Sequence, residues 1–193
     1  MERTVVLVKP DGVQRGLVGE IIARFEKVSL KIIAMKMVWI DKDFASKHYM
    51  ATREEWLKTI GERTLKTNAE YGRNTKEILG TEEAMEIGKM VAGWLIEYLC
   101  EGPVVAMLLE GNHAVDAVRK IAGNTIPLKA EPHTIRGAYS VDSMDLANDR
   151  KRPGKNVMHS SGNLEEAKYE AELWFNPEEI HDYKLAHEDV AYG

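Results

Sequence analysis

The run TVVLVK at Thr4–Lys9 constrains this chain most. It is β-branched and apolar, and the turn-forming Pro10-Asp11-Gly12 stops it, which predicts a short buried strand. Next, LVGEIIARFEKV spaces Leu17, Ile21, Phe25 and Val28 as one helical face, and LKIIAMKMVWI (Leu30–Ile40) has strand character. Asp41 or Asp43 can cap a short helix running through His48 and Tyr49. Further on come a strand in GPVVAMLLEG (Gly102–Gly111), a helix in HAVDAVRKIAG and a strand or turn in HTIRGAYSV. A last helix, NLEEAKYEAELWF, aligns Leu164, Ala167, Ala171 and Trp174, with Ser161 or Asn163 able to cap it. The order β-α-β, helices, β-α-β matches the split βαβ, ferredoxin-like pattern. The expected class is α/β in the α+β sense, a four-stranded antiparallel sheet with helices packed on one face.

From about 52 to 88 the apolar pattern weakens and charge rises, which predicts a partly helical, solvent-facing insertion. A second insertion is expected at about 143–153, ending in the basic triplet Arg150, Lys151 and Arg152. The triplet fits a solvated loop, or else a basic tip over a ligand site. With these insertions, residues 1–193 are expected to form a single domain. A composition of 44% hydrophobic and 30% charged residues is that of a soluble globular protein, and no apolar run approaches the ~20 residues of a membrane helix. The charged MERTVVLVKPDG start does not resemble a secretory leader. The net charge of −5 argues against specific nucleic-acid binding but leaves room for an anionic small ligand met by a few focused cations. One cysteine, Cys100, removes any internal disulfide framework and suits a reducing cytosol, hence a cytoplasmic location. No CxxC or HExxH motif supports a protein-held zinc site.

Neither GxxxxGK[ST] nor GxGxxG occurs, so a nucleoside phosphate would have to be held by scattered cations. Lys9, Arg119 and Arg136 lie at predicted element ends where they can converge, and Thr125 adds a hydroxyl. Singly, each is more commonly a solvated surface group. Of the six histidines, His113, His133, His181 and His187 suit surface or capping roles. His159, in KNVMHSSGN, has small neighbours and a helix start just beyond, where backbone donors favour an incoming phosphate. A neutral imidazole has one nitrogen free to attack, and Glu170 in the following helix is within reach to hold the other.

The segments ERTVVLVKPDGVQRGLVGEIIARFE, GPVVAMLLEG, IAGNTIPLKAEPHTIRG and NVMHSSGNLEEAKYEAELWF together closely resemble the nucleoside diphosphate kinase family over nearly the whole chain. The resemblance implies that His159 is phosphorylated by a nucleoside triphosphate, mainly ATP, and passes the group to a nucleoside diphosphate. Glu170 would orient the histidine, with Ser161 beside it. Arg119, Thr125 and Arg136 would hold phosphates, with His48 and Tyr49 nearby, and Lys9 and Asn156 would contact the ribose. It also implies a ferredoxin-like fold, a homohexamer, and Mg2+ carried mostly by phosphates and water. Counting back from GPVV puts Val91, with Leu95 one turn on, where the family stacks the base. This chain has Ser160 and Gly162 where the family commonly has glycine and aspartate, and Ala138 in place of the aspartate of RGD. Two rival readings are a catalytically weak homologue serving as a nucleotide sensor or protein-binding module, and a plain scaffold with a structural His159. A scaffold needs none of Lys9, Tyr49, Arg119, Thr125, Arg136, Asn156, His159 and Glu170 as a set.

Overall fold

β1 (Glu2–Val8) is an inner strand, paired antiparallel on one side with β3 (Val104–Gly111) and on the other with the short β4 (Met158–Ser160). β2 (Lys31–Val38) pairs antiparallel with β3 and forms the far edge, giving the order β2-β3-β1-β4. The structure, a computed structural model, describes residues 1–192. After β1 come α1 (Pro10–Gln14) and α2 (Val18–Glu26). Between β2 and β3 lie α3 (Lys42–His48), α4 (Glu54–Glu70), α5 (Thr75–Leu79) and α6 (Ala84–Cys100). Between β3 and β4 lie α7 (Ala114–Ala122), α8 (Ile135–Tyr139) and α9 (Met144–Asp149). Then follow α10 (Leu164–Trp174) and α11 (Glu188–Tyr192).

The antiparallel four-stranded sheet is as the sequence predicts, but helices cover both of its faces and not one. β1 and β3 are apolar on both sides, so each face needs a cover to keep it from water. Val6, Val8, Met107 and Met158 face α2 and α7 through Ile21, Phe25 and Val118. Val5, Leu7, Ala106 and Leu108 face α3, α6 and α10 through Ala45, Leu99 and Trp174. Each fully buried large side chain contributes roughly 1.5–3 kcal/mol relative to exposure.

Several local readings change. Pro10-Asp11-Gly12 is the first turn of α1, because proline at N1 has no amide to leave unpaired there. HTIRGAYSV contains α8 in place of a strand or turn; Thr134 caps it by accepting from the Gly137 amide. Val28 lies past the end of α2 and Leu164 opens α10, and both are exposed. Asp41 caps α3, and Asn163 caps α10.

The charged segment from Thr52 is not wholly solvent facing. α4 crosses α6 at two glycines, where a Cβ on Gly61 would stand 1.8 Å from the Ala84 carbonyl oxygen and one on Gly88 2.0 Å from that of Leu57. α4 also meets α9: buried Asn148 donates to Asn68 at 2.8 Å, Asn68 donates to Thr75, and Arg73 pairs with Asp149 at 3.0 Å. Among the described residues, no helix is long and apolar enough to cross a membrane.

Candidate active site

β4 carries the site because of its register. His159 stands opposite Leu7, while Met158 before it points into the α2–α7 layer. Alternation along the strand therefore turns His159 to the other face, where its ring meets that of His48 edge-on at 4.6 Å. The Asn163 cap starts α10 so that Ala167, Glu170 and Trp174 form its buried side. Glu170 Oε1 then lies 2.8 Å from His159 Nε2, and Glu170 Oε2 accepts the Ser161 hydroxyl at 2.6 Å. Ser161 Oγ also accepts the Val5 amide at 3.1 Å, tying the carboxylate's support to β1. Glu170 is 3% exposed, whereas the His159 side chain keeps 20% of its surface open. A carboxylate facing Nε2 holds the proton there, so Nδ1 carries the free lone pair.

His48, on α3, accepts the Trp174 indole N–H at its Nδ1 (3.2 Å), which puts its own proton on Nε2. Burial, then the nearby His159 and Lys9, hold its pKa well below the ordinary histidine value, so it stays neutral. His48 Nε2, Tyr49 Oη and Arg136 Nε are buried with no protein partner. An unpaired buried donor costs about 1–3 kcal/mol, so three at one site mark where a polar ligand belongs. Burial, followed by Glu170, pushes the Tyr49 phenol far up, so it remains a donor.

A second group adjoins this one. Lys9, buried at the end of β1, donates to Asn156 Oδ1 at 2.8 Å, and Asn156 donates to the Thr125 carbonyl at 2.9 Å. Burial, then Arg136, lowers the Lys9 pKa to about 7, against the opposing pull of Asp11. Arg136 donates to the carbonyls of Gly123 (2.7 Å) and Met158 (3.2 Å). Burial, then Arg119, lowers its pKa to about 10, so it remains a cation at neutral pH. Arg119 is exposed on the last turn of α7 and its guanidinium donates to the Gly162 carbonyl. Thus Lys9, His48, Tyr49, Arg119, Thr125, Arg136, Asn156, His159, Ser161 and Glu170 belong to one linked region.

Val91 and Leu95 are half-buried on α6, on the helical face that continues to Tyr98, whose ring lies under Lys9 at 5.1 Å. They stand up to about 10 Å along the helix from it. Arg152 is bound to Asp142 at 2.5 and 2.9 Å, so this member of the basic triplet serves its own loop. His113, His133, His181 and His187 are exposed. The apolar groove between Arg3, Leu108, Ala171 and Phe175 contains none of the site residues.

Sequence reasoning passed over Asp11, Tyr98 and Trp174. Asp11 reads as part of the Pro10-Asp11-Gly12 turn and Trp174 as part of an apolar helical face, and nothing local singles out Tyr98. The only local signal was that KPDG carries an acid right after Lys9.

Comparison with known proteins assigns the chain to a family. The sequence model of the nucleoside diphosphate kinase family matches residues 2–59 and 70–180. The chain belongs to that family. It is 44% identical over 180 residues to the nucleoside diphosphate kinase of Pyrobaculum aerophilum, covering 93% of this chain and 98% of the relative. It is 38% identical over 192 residues to that of Archaeoglobus fulgidus, covering 100% and 98%. Among solved structures, the NDP kinase from Pyrobaculum aerophilum superposes with a TM-score of 0.90 at 43% identity, over 94% of this chain and 99% of that one. The Borrelia burgdorferi nucleoside-diphosphate kinase, solved as a transition state mimic with vanadate and ADP, gives 0.78 at 33% identity, over 99% and 96%. Within the family's span, residues 60–69 of α4 stand outside the match.

Proposed function

We propose that this chain is a nucleoside diphosphate kinase that carries the phosphoryl group on His159. The observation that carries the reading is the Glu170–His159 contact at 2.8 Å, which leaves Nδ1 as nucleophile beside three buried donors without partners. Nδ1 attacks the γ-phosphorus of a nucleoside triphosphate, mainly ATP. The N–P bond forms as the bond to the β-phosphate's bridging oxygen breaks, and the nucleoside diphosphate leaves with that electron pair. The Nε2 proton stays on the ring, held against Glu170. A second nucleoside diphosphate then attacks the phosphohistidine through its terminal oxygen; the N–P bond breaks, its electron pair returns to Nδ1, and the product departs as a triphosphate. One site alternating between two half-reactions gives ping-pong kinetics and supplies GTP, CTP and UTP.

Phosphoryl transfer gains mostly from positioning and from stabilising charge on the transferred oxygens. Arg119, Arg136, Thr125, Tyr49 and the His48 Nε2–H take the phosphates in this reading. Lys9 and Asn156 take the ribose, with Lys9 also in reach of phosphate. Ser161 keeps Glu170 in place. Val91 and Leu95 are the proposed base wall; their support is the α6 face they share with Tyr98. That a relative of 33% identity was solved as a transition state mimic with vanadate and ADP supports nucleotide binding and phosphoryl transfer as the chemistry.

Members of the family generally act with a divalent metal, and Mg2+ is the proposed ion. Among the described residues, the one cluster with metal-ligand spacing is His48, His159 and Glu170, a nitrogen-rich set. Mg2+ prefers oxygen ligands and keeps its waters, so nucleotide phosphates suit it better than this set does. The ion supplies charge neutralisation on the phosphates it travels with.

The chain is further proposed to be one cytoplasmic domain with insertions at about 52–88 and 143–153, assembled as a homohexamer. The packing of α4 and α5 against α9 supports treating the insertions as one added layer. The β2 edge, with Met35, Met37 and Trp39 exposed, supports self-association.

The test uses γ-labelled ATP with Mg2+ and no acceptor. The expected product is acid-labile, base-stable label on the protein, which moves to GTP when GDP is added. Label that survives His159→Ala defeats the reading.

A further inference from the structure

Asp11 is a buried acid that the phosphoryl chemistry leaves unused. It lies on α1, two residues after Lys9, and its two oxygens reach different parts of the site. Oδ1 accepts the Tyr98 hydroxyl at 2.5 Å, and Oδ2 accepts the Val157 amide at 3.2 Å.

Val157 needs such a partner. Its φ of 60° is left-handed, which a β-branched residue adopts only under constraint. The Met158 amide closes back on the Asn156 carbonyl at 2.7 Å, making Val157 the centre of a γ-turn. The Val157 carbonyl accepts the Lys9 amide at 2.9 Å. Gly12 lets α1 press on this turn, since a Cβ there would stand 2.7 Å from the Val157 oxygen. The turn sits between Asn156, which holds Lys9, and His159. Residues 9–12 and 156–158 are therefore interlocked, and Asp11 is the side chain that spans them.

We propose that Asp11 is a positioning residue for phosphoryl transfer: it clamps the strained Val157 turn to α1 and α6, and so sets Lys9, Asn156 and His159 relative to one another. This rests on the reading of His159 as the phosphoryl carrier.

The clamp also has an electrostatic side. The groups facing Lys9 are Arg136 from α8, His48 from α3, Tyr98 from α6 and Asp11 from α1. Lys155, paired with Glu101, stands over the same Tyr98 ring at 5.5 Å. Burial and Arg136 depress Lys9 to about 7, and Asp11 is the anion that opposes them. Tyr98 is held neutral, first by burial and then by Asp11. Removing the Asp11 charge therefore lets Lys9 lose its proton at lower pH.

The test compares kcat/KM for ATP with GDP as acceptor in Asp11→Asn, Asp11→Ala and Tyr98→Phe, at about pH 6 and about pH 8, where this ratio reports free-enzyme ionisations. Asp11→Asn keeps the shape and an acceptor for Val157, so it stays near wild type at the lower pH and falls at the higher, its alkaline limb moved toward acid. Asp11→Ala frees the turn and loses roughly 100-fold at both, the scale of an ångström of misplacement. Tyr98→Phe keeps the charge, so its limb stays where the wild type's lies. If Asp11→Ala does not fold, the other two variants carry the test. A folded Asp11→Ala within a few-fold of wild type, an Asp11→Asn limb unmoved from wild type, or one that Tyr98→Phe moves equally, overturns the proposal. Wild-type protein that takes no label on His159 overturns the phosphohistidine reading instead, so the two failures are distinct.

Discussion

Replacing Glu170 tests the core of the site, because its carboxylate serves two donors at once. It accepts His159 Nε2 at 2.8 Å and Ser161 Oγ at 2.6 Å. Glu170→Gln keeps the shape and one acceptor oxygen, and the amide nitrogen turns toward Ser161, whose oxygen can accept. What is lost is the negative charge beside an imidazole that becomes positive as Nδ1 bonds to phosphorus. A charged hydrogen bond contributes about 1.5–3 kcal/mol and a neutral one about 0.5–1.5, so the loss is about 1–1.5 kcal/mol. That is roughly a tenfold slower phosphorylation. Glu170→Ala goes further, leaving His159 Nε2–H unpaired and Ser161 with only its backbone partners at Val5. Losing the whole charged hydrogen bond, about 1.5–3 kcal/mol, predicts a rate roughly 10- to 150-fold lower. Rapid-quench labelling with γ-labelled ATP measures both rates, and circular dichroism checks the fold. A wild-type labelling rate in Glu170→Gln would refute the assigned role of the carboxylate.

Three more outcomes are expected. Gly88→Ala forces the Cβ to within 2.0 Å of the Leu57 carbonyl oxygen, so α4 and α6 must separate; urea unfolding shows a loss of about 2–4 kcal/mol, and an unchanged midpoint counts against this crossing. Asn148→Ala leaves buried Asn68 without its donor and costs about 1–3 kcal/mol, while the double variant with Asn68→Ala costs less than the sum; strict additivity in the cycle would mean the two insertions do not touch. The Lys9 pKa of about 7 lies below its unfolded 10.5, so the unfolded chain holds this proton and the folded chain does not between those values. The destabilisation from burying a charged Lys9 thus fades as pH rises through that window, and Lys9→Met flattens this part of the stability-versus-pH curve.

Much of the fold could be read from local pattern. TVVLVK, LKIIAMKMVWI and GPVVAMLLEG became three strands of the sheet, because apolar runs bounded by turns have few other solutions. Helix starts were narrowed to Asp41 or Asp43 and to Ser161 or Asn163, and the structure selects Asp41 and Asn163, whose side chains accept the first free amides. The structure departs from local pattern where a nonlocal contact decides. Proline at Pro10 punctuates a strand equally well by a turn or a helix, and only packing of α1 against Val157 selects the helix. Covering both faces of the sheet needed the long β2–β3 connection to fold back, which charge-rich α4 obscured.

The site divides in the same way. Residue types at predicted element ends were enough to collect Lys9, Arg119, Arg136, His159 and Glu170, since phosphate binding asks for convergent cations and a supported imidazole, and the family resemblance added Asn156. Composition could not say which nitrogen of His159 is free, because the answer depends on where α10 brings Glu170. Nor could it single out Asp11, whose partners Tyr98 and Val157 lie 87 and 146 residues away. A sequence lists donors and acceptors; a buried hydrogen bond also needs both held within about 3 Å and shielded from water. For Asp11, only the packing of α1 against α6 and β4 meets that condition.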